Sequence, residues 1–170
     1  SAQAADPLAT LHALQQAIAE QAKLTTTDWA EGDFIGESVS ISGNRALIGG
    51  SQGQLNTGAA YTFVFDGVSW KQEARLVGAD VGPASYFGNS VSLSGNRALV
   101  GAFIDGPNGA KGAAYVFAFD GTTWRQEAKL RTSDREVGDH FGISVALSGN
   151  RALVGANQDG SGPGSGAELV

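Results

Sequence analysis

The chain has 170 residues, a formal net charge of −6, 25 glycines against 4 prolines, and no cysteine. That acidic balance excludes a clustered Lys/Arg footprint for nucleic acid. The lack of cysteine excludes a disulfide framework or a thiolate metal site, and no apolar run approaches the ~18 residues of a membrane span. Hydrophobic residues make up 42%, enough for a packed core, and glycine without a Gly-X-Y period points to many turns.

The first residues, Ser1-Ala2-Gln3-Ala4-Ala5-Asp6, are small and polar, as in a mature chain after signal-peptide removal. Secretion, or a place at the cell surface, is the expectation. Asp6-Pro7 is a helix start, an N-cap followed by proline. Leu8, Leu11, Leu14, Ile18 and Ala22 then recur at helical spacing. The pattern predicts a short helix over 7–19 and a strand over 20–26. Such an apolar stripe must be covered, by the fold itself or by a second chain.

From there the sequence repeats. Phe34 opens FIGESVSISGNRALIGG, Phe87 opens FGNSVSLSGNRALVGA and Phe141 opens FGISVALSGNRALVGA, at offsets of 53 and 54 residues. Downstream, GAAYTFVFDGVSWKQEARL (58–76) matches GAAYVFAFDGTTWRQEAKL (112–130). Each unit reads as four strands. In the first, Ser38 to Ser42 alternates polar and apolar residues, the period of a strand. Gly43-Asn44 makes a two-residue hairpin, since both positions tolerate positive φ. Arg45 to Gly49 follows, then Ala59 to Phe65 with Tyr61, Phe63 and Phe65 on one face. An Asp66-Gly67 turn leads to Ser69 to Leu76, with Trp70 near its start.

A four-stranded antiparallel meander at this period is the sequence form of a β-propeller blade. A solenoid would need parallel strands that two-residue hairpins cannot join, and a sandwich has no need of near-identical units. The fold class expected is therefore all-β: propeller blades at about 34–76, 87–130 and 141–170, preceded by the short N-terminal helix. The Phe-Gly opening, Gly101-Ala102, Gly155-Ala156 and the later Gly-Ala-Ala-Tyr-Val-Phe resemble FG-GAP repeats in their bacterial secreted form. The resemblance implies an integrin-type β-propeller and a role in adhesion or interaction.

The third unit reads only as far as Gly166-Ala167-Glu168-Leu169-Val170, short of its fourth strand. Glu20-Gln21-Ala22-Lys23-Leu24 resembles Gln126-Glu127-Ala128-Lys129-Leu130, the end of such a strand. Residues 1–24 would then supply helix plus terminal strand, and 25–170 the repeats, with one blade split between the termini. Three blades are fewer than the about 4 to 8 of observed rings. Completion between chains, as a homo-oligomeric ring or a filament, is the expectation, set against a fragment of a longer propeller. The assembly residues would be Leu8, Leu11, Leu14, Ile18, Ala22, Leu24, Leu169 and Val170.

Connections 1–2 and 3–4 are short and uniform, whereas 2–3 and 4–1 vary, and variable loops on a rigid scaffold carry binding. The expected binding face holds Trp29, Tyr86, Phe103, Asp105, Asn108, His140, Asn157 and Asp159, for a protein or glycan ligand. Packing between blades is the plainer role for each. Asp105-Gly106-Pro107-Asn108 and Asn157-Gln158-Asp159-Gly160 echo the calcium loop of integrin-type repeats, but neither has three alternating oxygen donors. Turn roles suit them better, as they suit the recurring Asp28, Asp80 and Asp134, so no cofactor is expected. His12 and His140 stand apart from any nucleophile–acid set, and Glu73 and Glu127 are repeat-equivalent strand positions. GNRAL closes a hairpin and is no phosphate loop. A non-enzymatic module is the expectation.

Overall fold

The computed structural model describes residues 22–28, 30–53, 56–106, 111–131, 137–157 and 166–169. Eleven strands fall into three antiparallel sheets in chain order. Sheet I holds β1 (Ser38–Ser42), β2 (Arg45–Gly50), β3 (Ala59–Phe65) and β4 (Trp70–Leu76). Sheet II holds β5 (Val91–Ser94), β6 (Arg97–Ala102), β7 (Ala113–Phe119) and β8 (Trp124–Leu130). Sheet III holds β9 (Ser144–Ser148), β10 (Arg151–Ala156) and β11 (Gly166–Leu169), three strands among the described residues.

Local chemistry explains the turns. Gly43, Gly95 and Gly149 have φ of 59°, 56° and 58°, while the asparagine after each does not. This is the pattern of a type II′ hairpin, with glycine at its first central position, so only one of the two residues uses the positive φ expected of both. The Asp-Gly connection is longer than the tight turn expected. Phe65 pairs with Trp70 across four loop residues, closed by Asp66 Oδ1 accepting from the backbone N–H of Val68 and Ser69 at 2.9 and 2.8 Å. Asp120 does the same for Thr122 and Thr123.

Alternation along the second strand of each sheet builds the core. Ala46 and Ile48 face rearward with Tyr61 and Phe63, over Leu24, Ile35 and Trp70. Leu47 faces forward, into a cluster with Val91, Leu93, Val100, Tyr115 and Phe117 of sheet II. One repeat later Leu99 faces forward onto Phe141, Val145, Ala152 and Val154 of sheet III. Sheets I and II therefore each bury their forward face against the rear face of the next sheet. Burial of a leucine in this way contributes roughly 1.5–3 kcal/mol.

Hydroxyls align the first strands. Ser38 Oγ donates to Gly88 O at 2.8 Å, and the Oγ atoms of Ser40 and Ser42 accept from the N–H of Leu93 and Gly95. Ser90, Ser92 and Ser94 repeat this pattern onto Gly142, Leu147 and Gly149. Backbones approach so closely here that a Cβ on Gly101 would collide with Gly142 O.

Three expectations are corrected. Ile35, not Phe34, stands at the buried position of Phe87 and Phe141. Phe34, Tyr86 and His140 share φ of 53–54°, and Gly36, Gly88 and Gly142 share φ of 94–99°. The first offset is thus 52 residues, because sheet I has isoleucine where its siblings have phenylalanine. Residues 22–26 carry no strand pairing, against the strand expected over 20–26. Leu24 packs on the rear of sheet I, the position that Leu76 holds before sheet II. In β11, Leu169 pairs with Leu153, where Val116 pairs with Leu99. That is one residue off the register implied by aligning the Gly-Ala pairs. The helix expected over 7–19, with Leu8, Leu11, Leu14 and Ile18, lies outside the described residues, as does Val170.

Candidate functional site

The variable loops meet on one side of the three sheets. Tyr86 and Phe103 stack with ring centroids 5.2 Å apart, and Phe103 meets His140 edge-on at 5.5 Å. His140 Nδ1 lies 3.3 Å from Asn157 Oδ1, and Asn56 Nδ2 donates to Tyr86 Oη at 3.4 Å. Four of the residues singled out from sequence (Tyr86, Phe103, His140 and Asn157) thus form one ribbon across all three repeats. Trp29, Asn108 and Asp159 lie outside the described residues.

Backbone geometry fixes this ribbon. Tyr86 and His140 sit in the left-handed region, which disfavours bulky residues. They are held there by Asn89 N→Tyr86 O and Ile143 N→His140 O, at 3.1 and 3.0 Å. Phe34 occupies the same position in the first repeat and is 58% exposed.

Asp105 is no open loop ligand. It is 2% exposed, pairs with Lys129 Nζ at 2.7 Å and accepts from Ser85 Oγ at 3.2 Å. Lys129 Nζ also meets Asp80 at 2.8 Å and stands 4.7 Å from the Tyr115 ring centroid. Hydrogen bonding to Lys129 holds the Asp80 carboxyl below its ordinary range. Burial, with Asp105 and Asp80 close by, pushes the Tyr115 phenol well above its own. No group of three or more metal-ligating side chains occurs among the described residues.

A second polar feature, on the sheet interfaces, was not foreseen. Glu73 and Glu127 are the extra residues of β-bulges, since Thr62 pairs with Ala74 and Phe63 with Gln72, and likewise in sheet II. The bulge re-aims a carboxylate that regular alternation would place elsewhere. Arg45 binds Glu73 through Nε and Nη2, both at about 3.0–3.3 Å, and reaches Asn96 of sheet II at 3.0 Å. Its guanidinium lies 4.2 Å from the Phe119 ring centroid, and Trp124 Nε1 donates to Glu73 at 2.8 Å. Between sheets II and III, Arg97 likewise binds Glu127 and Asn150. No tryptophan of sheet III reaches Glu127 among the described residues, and a groove lined by Glu127, Leu130, Leu147 and Ala152 lies there.

Among the described residues, the equivalent positions on the two outer faces are exposed. Val39 and Ile41 are each 68% exposed, whereas their equivalents Val91 and Leu93 are 8% and 5% exposed. Leu153 is 42% exposed, whereas Leu47 and Leu99 are fully buried.

The FG-GAP repeat model matches residues 18–63, 70–117 and 124–169, most of the chain. The chain belongs to the FG-GAP repeat family. The second and third matches run from a fourth strand, β4 or β8, into the third strand of the next sheet, so the family unit straddles the sheet boundary. It places residues 18–24 where Trp70–Leu76 and Trp124–Leu130 stand in the later units. No curated protein is similar enough to match. No helix among the described residues is long and apolar enough to cross a membrane.

Proposed function

We propose that these FG-GAP repeats form a β-propeller-type interaction module without catalytic chemistry. In this reading it acts outside the cell or at its surface and self-assembles sheet upon sheet. The observation that carries this is the exposure of Leu153 on one outer face, where Leu47 and Leu99 are buried, and of Val39 and Ile41 on the other, where Val91 and Leu93 are buried and Val145 and Leu147 half-buried. A second copy would offer the complementary half of each face, and the β1–β5 and β5–β9 contacts within the chain support that pairing. The contact is heterologous, so it closes into a ring or grows into a filament according to its rotation. Leu24 packs on the rear of sheet I, the Val39 face, and serves the same association. Light scattering on the wild type and on Leu153→Glu tests it. An assembled wild type and a monomeric variant are expected; a wild type of one-chain mass would sink the proposal.

The Asn56–Tyr86–Phe103–His140–Asn157 ribbon favours a second reading, a loop-face site for a protein or glycan. Phe103→Ala would interrupt the ribbon at its centre. Its test is ligand-induced NMR shifts confined to loop residues in the wild type and lost in the variant. Shifts that survive the substitution would count against it. Neither reading calls for calcium or another cofactor.

A further inference from the structure

Sheets I and II carry related constellations at their loop ends, built from different side chains. In sheet II the Lys129 ammonium sits between Asp80 and Asp105, over the face of Tyr115, and is only 10% exposed. The equivalent residues in sheet I are Arg75 for Lys129, Asp28 for Asp80 and Tyr61 for Tyr115, by strand register and by the shared Thr27 N→Gln72 and Ala79 N→Gln126 bonds. The second carboxylate is exchanged between loops. Asp33 stands where sheet II has Ser85, and Gly53 where it has Asp105, with the Gly53 Cβ position 3.0 Å from Asp33 Oδ1.

Arg75, like Lys129, reaches the tyrosine of its own sheet, bonding Tyr61, but it is far less enclosed. Its Nε pairs with Asp28 at 3.2 Å, and its side chain remains 48% exposed. What is left is a cavity of about 250 Å³, lined among the described residues by Asp28, Asp33, Gln52, Tyr61 and Arg75. Tyr61 at its wall is 3% exposed. The charges differ as well. Sheet II balances Asp80 and Asp105 with Lys129 and Arg131, whereas sheet I has Asp28 and Asp33 against Arg75, with Val77 where Arg131 would be.

We infer that this cavity binds a primary alkylammonium group, seated over Tyr61 between Asp33 and Asp28 as the Lys129 ammonium is seated over Tyr115. An ammonium fits better than a metal ion, because the aromatic face attracts a compact organic cation. Calcium, by contrast, needs six or more oxygens. The ammonium could belong to a free diamine or to a lysine side chain. The cavity adjoins the rear face of sheet I, on which Tyr61 lies, but amine binding does not rest on the assembly proposal.

The test is isothermal titration of the full chain with 1,5-diaminopentane, with Nα-acetyl-lysine amide and with calcium chloride, on the wild type, Asp33→Asn and Arg75→Lys. Saturable binding of an amine at one per chain is expected. Asp33→Asn should weaken it roughly tenfold, the scale of one charge-assisted hydrogen bond. Arg75→Lys should abolish it while preserving the melting temperature, because the variant's own ammonium would take the seat. Binding of the diamine alone would identify a free polyamine, and binding of the lysine amide a peptide side chain. No saturable binding of either amine, unchanged affinity in both variants, or binding of calcium alone would overturn the inference.

Discussion

The indole Nε1 of Trp124 donates to the Glu73 carboxylate of the preceding sheet at 2.8 Å. This bond joins a fourth strand to the neighbouring bulge, under an Arg45 guanidinium that reaches Asn96 and Phe119 of the same partner sheet. Trp124→Phe keeps an aromatic ring and deletes the donor. A loss of about 1.5–3 kcal/mol is expected, the scale of a hydrogen bond to a charged group. Urea denaturation checks it, and a cycle with Glu73→Gln should show the two losses to be non-additive.

Glu73 also predicts an acid dependence. Burial alone would raise its carboxyl, but hydrogen bonds from Arg45 and Trp124 outweigh burial and hold it below the ordinary 4.5. A carboxyl depressed in the folded state contributes stability above its unfolded value and loses it as pH falls through the folded one. Stability should therefore fall below about pH 4.5, and less steeply in Glu73→Gln. Midpoints of urea unfolding from pH 7 to 3 measure the difference.

Gly101→Ala should be among the most damaging single changes. Its Cβ would collide with Gly142 O, a backbone atom of the next sheet that cannot swing away. A cost above about 3 kcal/mol is expected for such an overpacked backbone contact. Ser92→Ala, which removes only the acceptor for Leu147 N at 2.9 Å, should cost about 1 kcal/mol. Thermal denaturation of the pair separates the two effects.

Ala84 offers the opposite sign. It is exposed with φ of 57° and is not a glycine. Ala84→Gly should stabilise by about 0.5–1 kcal/mol, since relief of left-handed strain exceeds the chain entropy glycine adds. A lower melting temperature would contradict that assignment.

The strands and their order were legible because Val39/Ile41, Val91/Leu93 and Val145/Leu147 alternate with serine or alanine, and Gly-Asn marks the first hairpin of each sheet. The facing of the loops followed from that order, which is why Tyr86, Phe103, His140 and Asn157 fell together. Phe34 was misaligned because a local string match favours phenylalanine, whereas the backbone requires the residue before the positive-φ glycine to be buried. Glu73 gave no sign of its bulge, since Lys71, Gln72 and Glu73 are all polar and offer no alternation in which a shift could be read. Asp105 looked like an exposed loop acid because its partner Lys129 is distant in sequence and only the register of β7 with β8 brings them together.

The central claim is that the two outer faces are halves of one interface. Mixing decides it most directly. Val39→Glu spoils one face and Leu153→Glu the other, so each variant alone should have the mass of one chain by light scattering. Mixed in equal amounts, the intact Leu153 face of the first should meet the intact Val39 face of the second and yield two-chain particles. A mixture that stays at one-chain mass while the wild type assembles would contradict this pairing of faces.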